Sequence, residues 1–290
     1  MTTKHKGLWR AAMAAVTAVA AALSGCASGP AATAPVPTTA QPGAVAPTTR
    51  PAADLVAPTY ALPTFPLVAR DVPTGLGRPW VGLSWGRPSL GFTAGRGTVT
   101  VVIFASRPDD DPRTQGMRRL DTKVGGAGAV VSGGDYADAK DVTRLVVATC
   151  RPRPDQWVRI TSTDALIRDG VLRLGRGLRP GTTPGTAPPV TLSLVPAGQE
   201  LVSLSDSSLC LAPRGALDQV TTSLCVSWGD LGLRGAQSLT VRGQRAELLA
   251  YDNVHELRMV VRPKLILQVT TNDLTRQDTI RIAEGITFGG

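Results

Sequence analysis

Chemistry at neutral pH needs a base, a nucleophile or a metal ligand, and this 290-residue chain offers few of them. Of its two histidines, only His255 lies beyond the N-terminal basic stretch. It sits in "YDNVHEL" (251–257), read as a turn between strands, with Asp252 and Glu256 nearby. A serine or cysteine nucleophile working through an imidazole base would have to use His255. No Ser-x-x-Lys pair occurs, and no nucleophile elbow is read in the chain. One histidine cannot build an ordinary His-based zinc site.

The acids are equally sparing. "SRPDDDPRTQ" (106–115) holds Asp109, Asp110 and Asp111 in a row. A calcium loop alternates its oxygens and includes a turn glycine, so a solvated loop is expected instead. The four glutamates, Glu200, Glu247, Glu256 and Glu284, are assigned to exposed positions. A carboxylate-dependent envelope hydrolase stays as the enzymatic alternative. The glycines of "KVGGAGAVVSGGDY" (123–136) precede no helix and read as strand bends, not as a phosphate loop. No catalytic residue, metal ligand or cofactor site is assigned.

Residues 1–25 form an export signal: Lys4, Lys6 and Arg10 lead into the apolar run "AAMAAVTAVAAAL" (11–23). That run is too short for a permanent membrane helix. Leu23-Ser24-Gly25-Cys26 then resembles a bacterial lipobox. The resemblance implies a diacylglyceryl chain on the Cys26 thiol, cleavage just before it, and anchoring on the outer face of the cell membrane. Because residues 1–25 hold no acid, their removal takes the formal net charge from +9 to +6. The Arg, Ala, Gly and Pro bias is that of a GC-rich bacterial genome, as in actinobacteria. A basic surface suits anionic headgroups or wall polymers. Nucleic acid is excluded as a partner: aromatics are only 4% of residues, no basic run is long enough, and the compartment is wrong.

With Cys26 taken by lipid, Cys150, Cys210 and Cys225 remain. Cys210 and Cys225 lie on two predicted strands joined by "LAPRGALDQVTTSL" (211–224), and are the expected disulfide. The competing arrangement bonds Cys150 to either one. Cys150 itself ends an apolar strand and reads as a small buried hydrophobe.

Residues 26–65 are almost entirely Ala, Pro, Thr and Gly and predict a disordered stalk. Beyond them, short β-branched runs alternate with Gly, Pro and Asp turns, as in "GTVTVVIFA" (97–105), "WVRITS" (157–162) and "KLILQVTT" (264–271). The expected class is α+β, with two related domains, 66–178 and 190–290, joined by a 179–189 linker. Each is expected to be a mainly antiparallel β-meander closed by one short C-terminal helix.

The two domains read as copies. "WVRITSTDALIRDGVLRLGRGL" (157–178) parallels "ILQVTTNDLTRQDTIRIAEGI" (266–286), aligning Asp164 with Asp273 and Leu172-Arg173-Leu174 with Ile280-Arg281-Ile282. Val124 and Gly126 match Val241 and Gly243, and Ser84-Trp85-Gly86 matches Ser227-Trp228-Gly229. In the second copy Thr275 and Asp278 predict a capping box, with Ile280, Ala283 and Ile286 facing the sheet. Gly170 and Gly175 weaken the first helix.

"LTVRGQRAELLAY" (239–251), the following strand pair and "TRQDTIRIAEGI" (275–286) resemble an uncharacterised extracytoplasmic domain of actinobacterial lipoproteins and of the outer parts of some anti-sigma factors. The resemblance covers roughly 196–288 and implies a non-enzymatic envelope module. The expected function is binding or sensing at the envelope, with a protein partner, lipid or wall polymer as ligand. The groove between the repeats is the expected place for it. A structural subunit of an envelope complex is the remaining alternative.

Overall fold

The computed structural model of the protein describes residues 51–137, 142–215, 223–233 and 237–289. Alternation builds its strands: along Gln156–Thr163 each buried residue is followed by a half-exposed one, the mark of a strand with one face on a core. The first half contributes β3 (Trp80–Ser84), β4 (Arg87–Ala94), β5 (Gly97–Phe104), β6 (Arg118–Val124), β7 (Ala127–Ala137), β8 (Val142–Arg153) and β9 (Gln156–Thr163). The second contributes β13 (Gln199–Leu204), β14 (Ser208–Pro213), β15 (Leu224–Gly229), β16 (Gln237–Val241), β17 (Gln244–Tyr251), β18 (Val254–Arg262) and β19 (Leu265–Asn272).

These strands form one antiparallel sheet of 14 strands, in the order β16-β17-β18-β19-β15-β14-β13-β3-β4-β5-β9-β8-β7-β6. Read outward from its centre, β3-β4-β5-β9-β8-β7-β6 on one side is repeated as β13-β14-β15-β19-β18-β17-β16 on the other. Neither half is a simple meander. After β5 the chain leaves the sheet, enters again at the far edge as β6, and returns strand by strand to pair β9 with β5. Nor do the halves separate into two bodies: β3 pairs with β13 through Leu83 and Leu204, and Pro51–Gly290 is one unit by its contacts.

Each half has its own core on the inner face of the sheet. Phe92, Val99, Val101, Val131 and Ile160 lie in the first, and Leu209, Leu224, Val226, Leu257 and Val269 in the second. Helix α1 (Arg168–Gly177) packs on β8 and β9, and α2 (Arg276–Glu284) on β18 and β19. Gly175 permits the first contact, since a Cβ there would come within 3.1–3.2 Å of Ile160 and Val124 side-chain carbons. Both halves of the capping box form in α2, with the Thr275 hydroxyl accepting from the Asp278 amide at 3.1 Å. Of the residues expected to face the sheet, Ala283 and Ile286 are buried as expected and Ile280 only partly so, with Thr279 and Ile282 completing the buried face.

Several boundaries differ from those expected. Residues 51–65, assigned to the stalk, belong to the folded unit. Within and after them, β1 (Leu55–Val56) pairs with β12 (Val195–Pro196), and β2 (Phe65–Ala69) with β10 (Leu178–Thr183). Phe65 and Leu67 are 0% and 1% exposed, and burying such a side chain is worth about 1.5–3 kcal/mol. Scattered apolar residues among the prolines thus supply the ordering energy that average composition hid. The first part of the 179–189 linker is β10, and the Thr186 hydroxyl accepts from the Val81 amide at 2.8 Å. β11 (Val190–Leu192) pairs with β20 (Ile286–Phe288).

The alignment of Ser84-Trp85-Gly86 with Ser227-Trp228-Gly229 is not kept by topology. The first triplet forms the β3–β4 turn, whereas the second ends β15, which occupies the place of β5. The other matches occupy equivalent places. Val124 and Val241 end β6 and β16, and Asp164 and Asp273 follow β9 and β19 with positive φ of 53° and 60°.

Candidate ligand-binding groove

Register places a defined set of side chains on the outer face of the first half. Cross-strand partners share a face, so β5 and β9 present Thr98 beside Thr163, Thr100 beside Thr161, Val102 beside Arg159 and Phe104 beside Trp157. The inward partners Val99, Val101 and Ile160 are core. The outer row therefore runs from a hydroxyl end to a cationic and aromatic end.

Arginines gather at the second end. The guanidinium carbons of Arg87 and Arg159 lie 5.1 and 5.4 Å from the Phe104 ring centre. Those of Arg107 and Arg151 lie 5.8 and 5.6 Å from Trp157. These are cation–π distances. The crossover after β5 forms a wall. Its Asp109 carbonyl accepts from Arg159, and Met117 lies against Gly134 of β7. Together these outline a cavity of about 460 Å³ between Trp85, Phe104, Arg113 and the threonines.

Asp111 corrects the expectation of a solvated acidic loop, being only 6% exposed. Its carboxylate accepts from Arg113 Nε at 3.0 Å and Nη2 at 2.7 Å, a bidentate pair. Burial pushes its pKa up, but the hydrogen bonds and charge of Arg113 outweigh this and hold it below the usual carboxylate value. Asp111 is thus a fixed anion that orients Arg113. Burial also draws the Arg159 pKa below its ordinary value, with Asp111 and Asp110 opposing; a guanidinium remains charged at neutral pH.

The groove ends at the junction of the halves. Trp85 packs against the cluster of Val202, Cys210 and Ala212 on the outer face of the second half, which Cys225 also joins. Its φ of 50° is left-handed, costing a bulky residue about 1–2 kcal/mol. The Gly86 amide bonds the Val202 carbonyl at 2.7 Å and holds the turn in place.

Cys210 and Cys225 are register partners on β14 and β15 with Cα atoms 4.1 Å apart, and are joined by a 2.16 Å S–S bond. Cys150 is a buried free thiol whose pKa burial raises to about 11. Cys26 lies outside the described residues. His255 is in strand β18, not in the preceding turn, paired with Ala250 and Thr271. It shares a face with the core residues Leu257 and Met259. Glu256 is buried, not exposed as expected, and pairs with Arg258 at 2.6 Å on the opposite face.

Gly82-Leu83-Ser84-Trp85-Gly86 does carry Gly-x-Ser-x-Gly spacing. A nucleophile elbow turns from a strand into a helix; this segment turns from β3 into β4. Ser84 lines the outer-face groove, while His255 faces inward in the other half. No imidazole among the described residues reaches it. Among the described residues no three His, Cys, Asp or Glu side chains cluster to hold a metal.

The groove residues were legible as a pattern only: Thr98 and Thr100, and Arg159, Thr161 and Thr163, recur at alternate positions of their strands. Their partnership requires β5 to pair with β9.

No protein-family model and no curated protein matches the sequence. Solved structures that align with it include the complex of Pseudomonas aeruginosa MucA and MucB, and MucB in complex with MucA(peri). Each is 11% identical and covers 73% of this chain and 92% of that chain, with TM-scores of 0.22 and 0.23. At those values the likeness carries no functional argument, which rests instead on the groove.

Proposed function

We propose that this is a lipid-anchored envelope protein that binds an anionic envelope component without catalysing a reaction. The observation that carries the reading is the outer-face groove, where Arg87, Arg113 and Arg159 are lined up with Phe104, and the one carboxylate in the lining, Asp111, is paired with Arg113. Guanidinium groups on a rigid sheet are suited to hold an anion, and a carboxylate already committed to Arg113 is poorly suited to shuttle protons. The Cys210–Cys225 bond favours an oxidising, extracytoplasmic compartment. No helix among the described residues is long and apolar enough to cross a membrane, and attachment through Cys26 supplies the membrane link in this reading. The mirrored strand order supports an origin of the two halves as related repeats that came to share one sheet.

Complementation of a deletion strain tests the binding role. His255→Ala, Glu200→Gln, Glu247→Gln and Glu284→Gln should each restore the wild-type phenotype, while the double variant Arg87→Ala/Arg159→Ala should not. Loss at one of those acids or at His255, with the arginine variant active, would favour the hydrolase. Cys26→Ala should leave the membrane fraction and accumulate unprocessed; continued membrane retention would end the anchor reading.

A further inference from the structure

We propose that the groove is a site for a phosphorylated polyol, with the phosphate on Arg87 and Arg159 and the hydroxyls of the polyol on the threonine row. This deepens the binding role above and rests on it.

The two ends of the groove call for two chemistries in one ligand. At the cationic end, Arg87 from β4 and Arg159 from β9 both lie against the Phe104 ring, at 5.1 and 5.4 Å. Neither has a carboxylate within ion-pair distance among the described residues. Arg159 Nε is buried without a hydrogen-bond partner, and leaving such a donor unsatisfied is costly. Ser89 belongs to the same face, since it pairs with Val102, and its fully buried hydroxyl also lacks a partner. Two guanidinium groups arriving from different strands suit a tetrahedral anion, which offers oxygens in several directions; a planar carboxylate is satisfied by one fork.

At the other end, Thr98, Thr163, Thr100 and Thr161 form two directly opposed pairs. Each hydroxyl both donates and accepts, so the row complements neighbouring hydroxyls on a ring or short chain. Trp85 supplies an apolar wall. A cavity of about 460 Å³ lies in the usual range for small-ligand sites. Inorganic phosphate would leave the hydroxyl row unused, and an uncharged polyol would leave the arginines unused. A lipid headgroup and a wall polymer can both carry this chemistry.

The full chain, purified from its host in neutral detergent, is titrated calorimetrically with myo-inositol 1-phosphate, inorganic phosphate and myo-inositol. Inositol phosphate should bind at least tenfold more tightly than either of the others. Arg159→Ala should weaken it at least tenfold, and Thr100→Val/Thr161→Val should bring it to the level of inorganic phosphate. Should Arg159→Ala fail to fold by circular dichroism, the exposed Arg87→Ala carries the same expectation. Equal affinity for inositol phosphate and inorganic phosphate, or unchanged affinity in the folded arginine variant, overturns the proposal.

Competition separates the sources. Displacement by phosphatidylinositol-containing vesicles, but not by pure phosphatidylcholine vesicles, supports a lipid headgroup. Displacement by soluble poly(glycerol phosphate) supports a wall polymer, and displacement by neither overturns the site. Binding that meets these criteria in a protein whose arginine variant still complements would refute the functional role and keep the site. Failed complementation without inositol phosphate binding would keep the role and refute this ligand.

Discussion

The amide of Gly86 donates to the carbonyl of Val202 at 2.7 Å, pinning a turn of the first half to β13, the strand of the second half that meets β3. Beside it, Leu83 and Leu204 are the register pair that makes the sheet continuous. This junction sets where Trp85 stands, and hence where the groove ends.

Gly82 is what allows so close an approach, because a Cβ there would lie 1.9 Å from the Leu204 carbonyl oxygen. Gly82→Ala must push β3 and β13 apart, and should cost about 2–4 kcal/mol in urea unfolding, within the range of severe backbone clashes. An unfolding midpoint equal to wild type would contradict this junction.

The Cys210–Cys225 bond closes a sequence separation of 15 residues, worth about 3 kcal/mol through the unfolded chain's entropy. Cys210→Ala/Cys225→Ala should lose stability of that order, with the same loss on adding reductant to wild type. The double variant should then be insensitive to reductant.

Asp278 joins the α2 cap to the N-terminal segment, accepting from the Ala53 amide at 3.0 Å as well as from Thr275. Burial raises its pKa, yet the Thr275 and Ala53 hydrogen bonds and the Arg281 charge bring it below the ordinary 3.8. A carboxyl with a lower pKa when folded stabilises the fold above its unfolded pKa, and that contribution is lost as pH falls through the folded value. Asp278→Asn should therefore flatten the acid limb of the stability profile and cost about 1 kcal/mol at pH 7. Proteolysis near residue 53 should also quicken; an unchanged acid limb would count against the assignment.

Cys150 is buried with its thiol pKa raised to about 11, so little reactive thiolate exists at neutral pH. Native protein should resist alkylation by iodoacetamide at pH 8, and one thiol should become modifiable on unfolding without reductant. Rapid labelling of Cys150 in the native state would show the first core to be open.

Local signals in the sequence carried a good part of the architecture. Alternation marked most strands, Thr275 and Asp278 marked the start of α2, and Val124-Gly125-Gly126 and Val241-Arg242-Gly243 marked equivalent hairpins, because each depends on residues close together in the chain. Composition misled at 51–65, where a Pro-rich average concealed Phe65 and the few apolar anchors around it. Periodicity showed Thr100 and Thr161 to be on one face of their own strands, but not that those faces meet. Only tertiary structure decided that: the chain crosses from β5 to the far edge before returning as β9, and the same crossing buries Asp111 beneath Arg113 and beside Arg159. It also decided that the two halves share one sheet, since a single pairing of Leu83 with Leu204 and a glycine-sized gap at Gly82 leave no periodic trace in the chain.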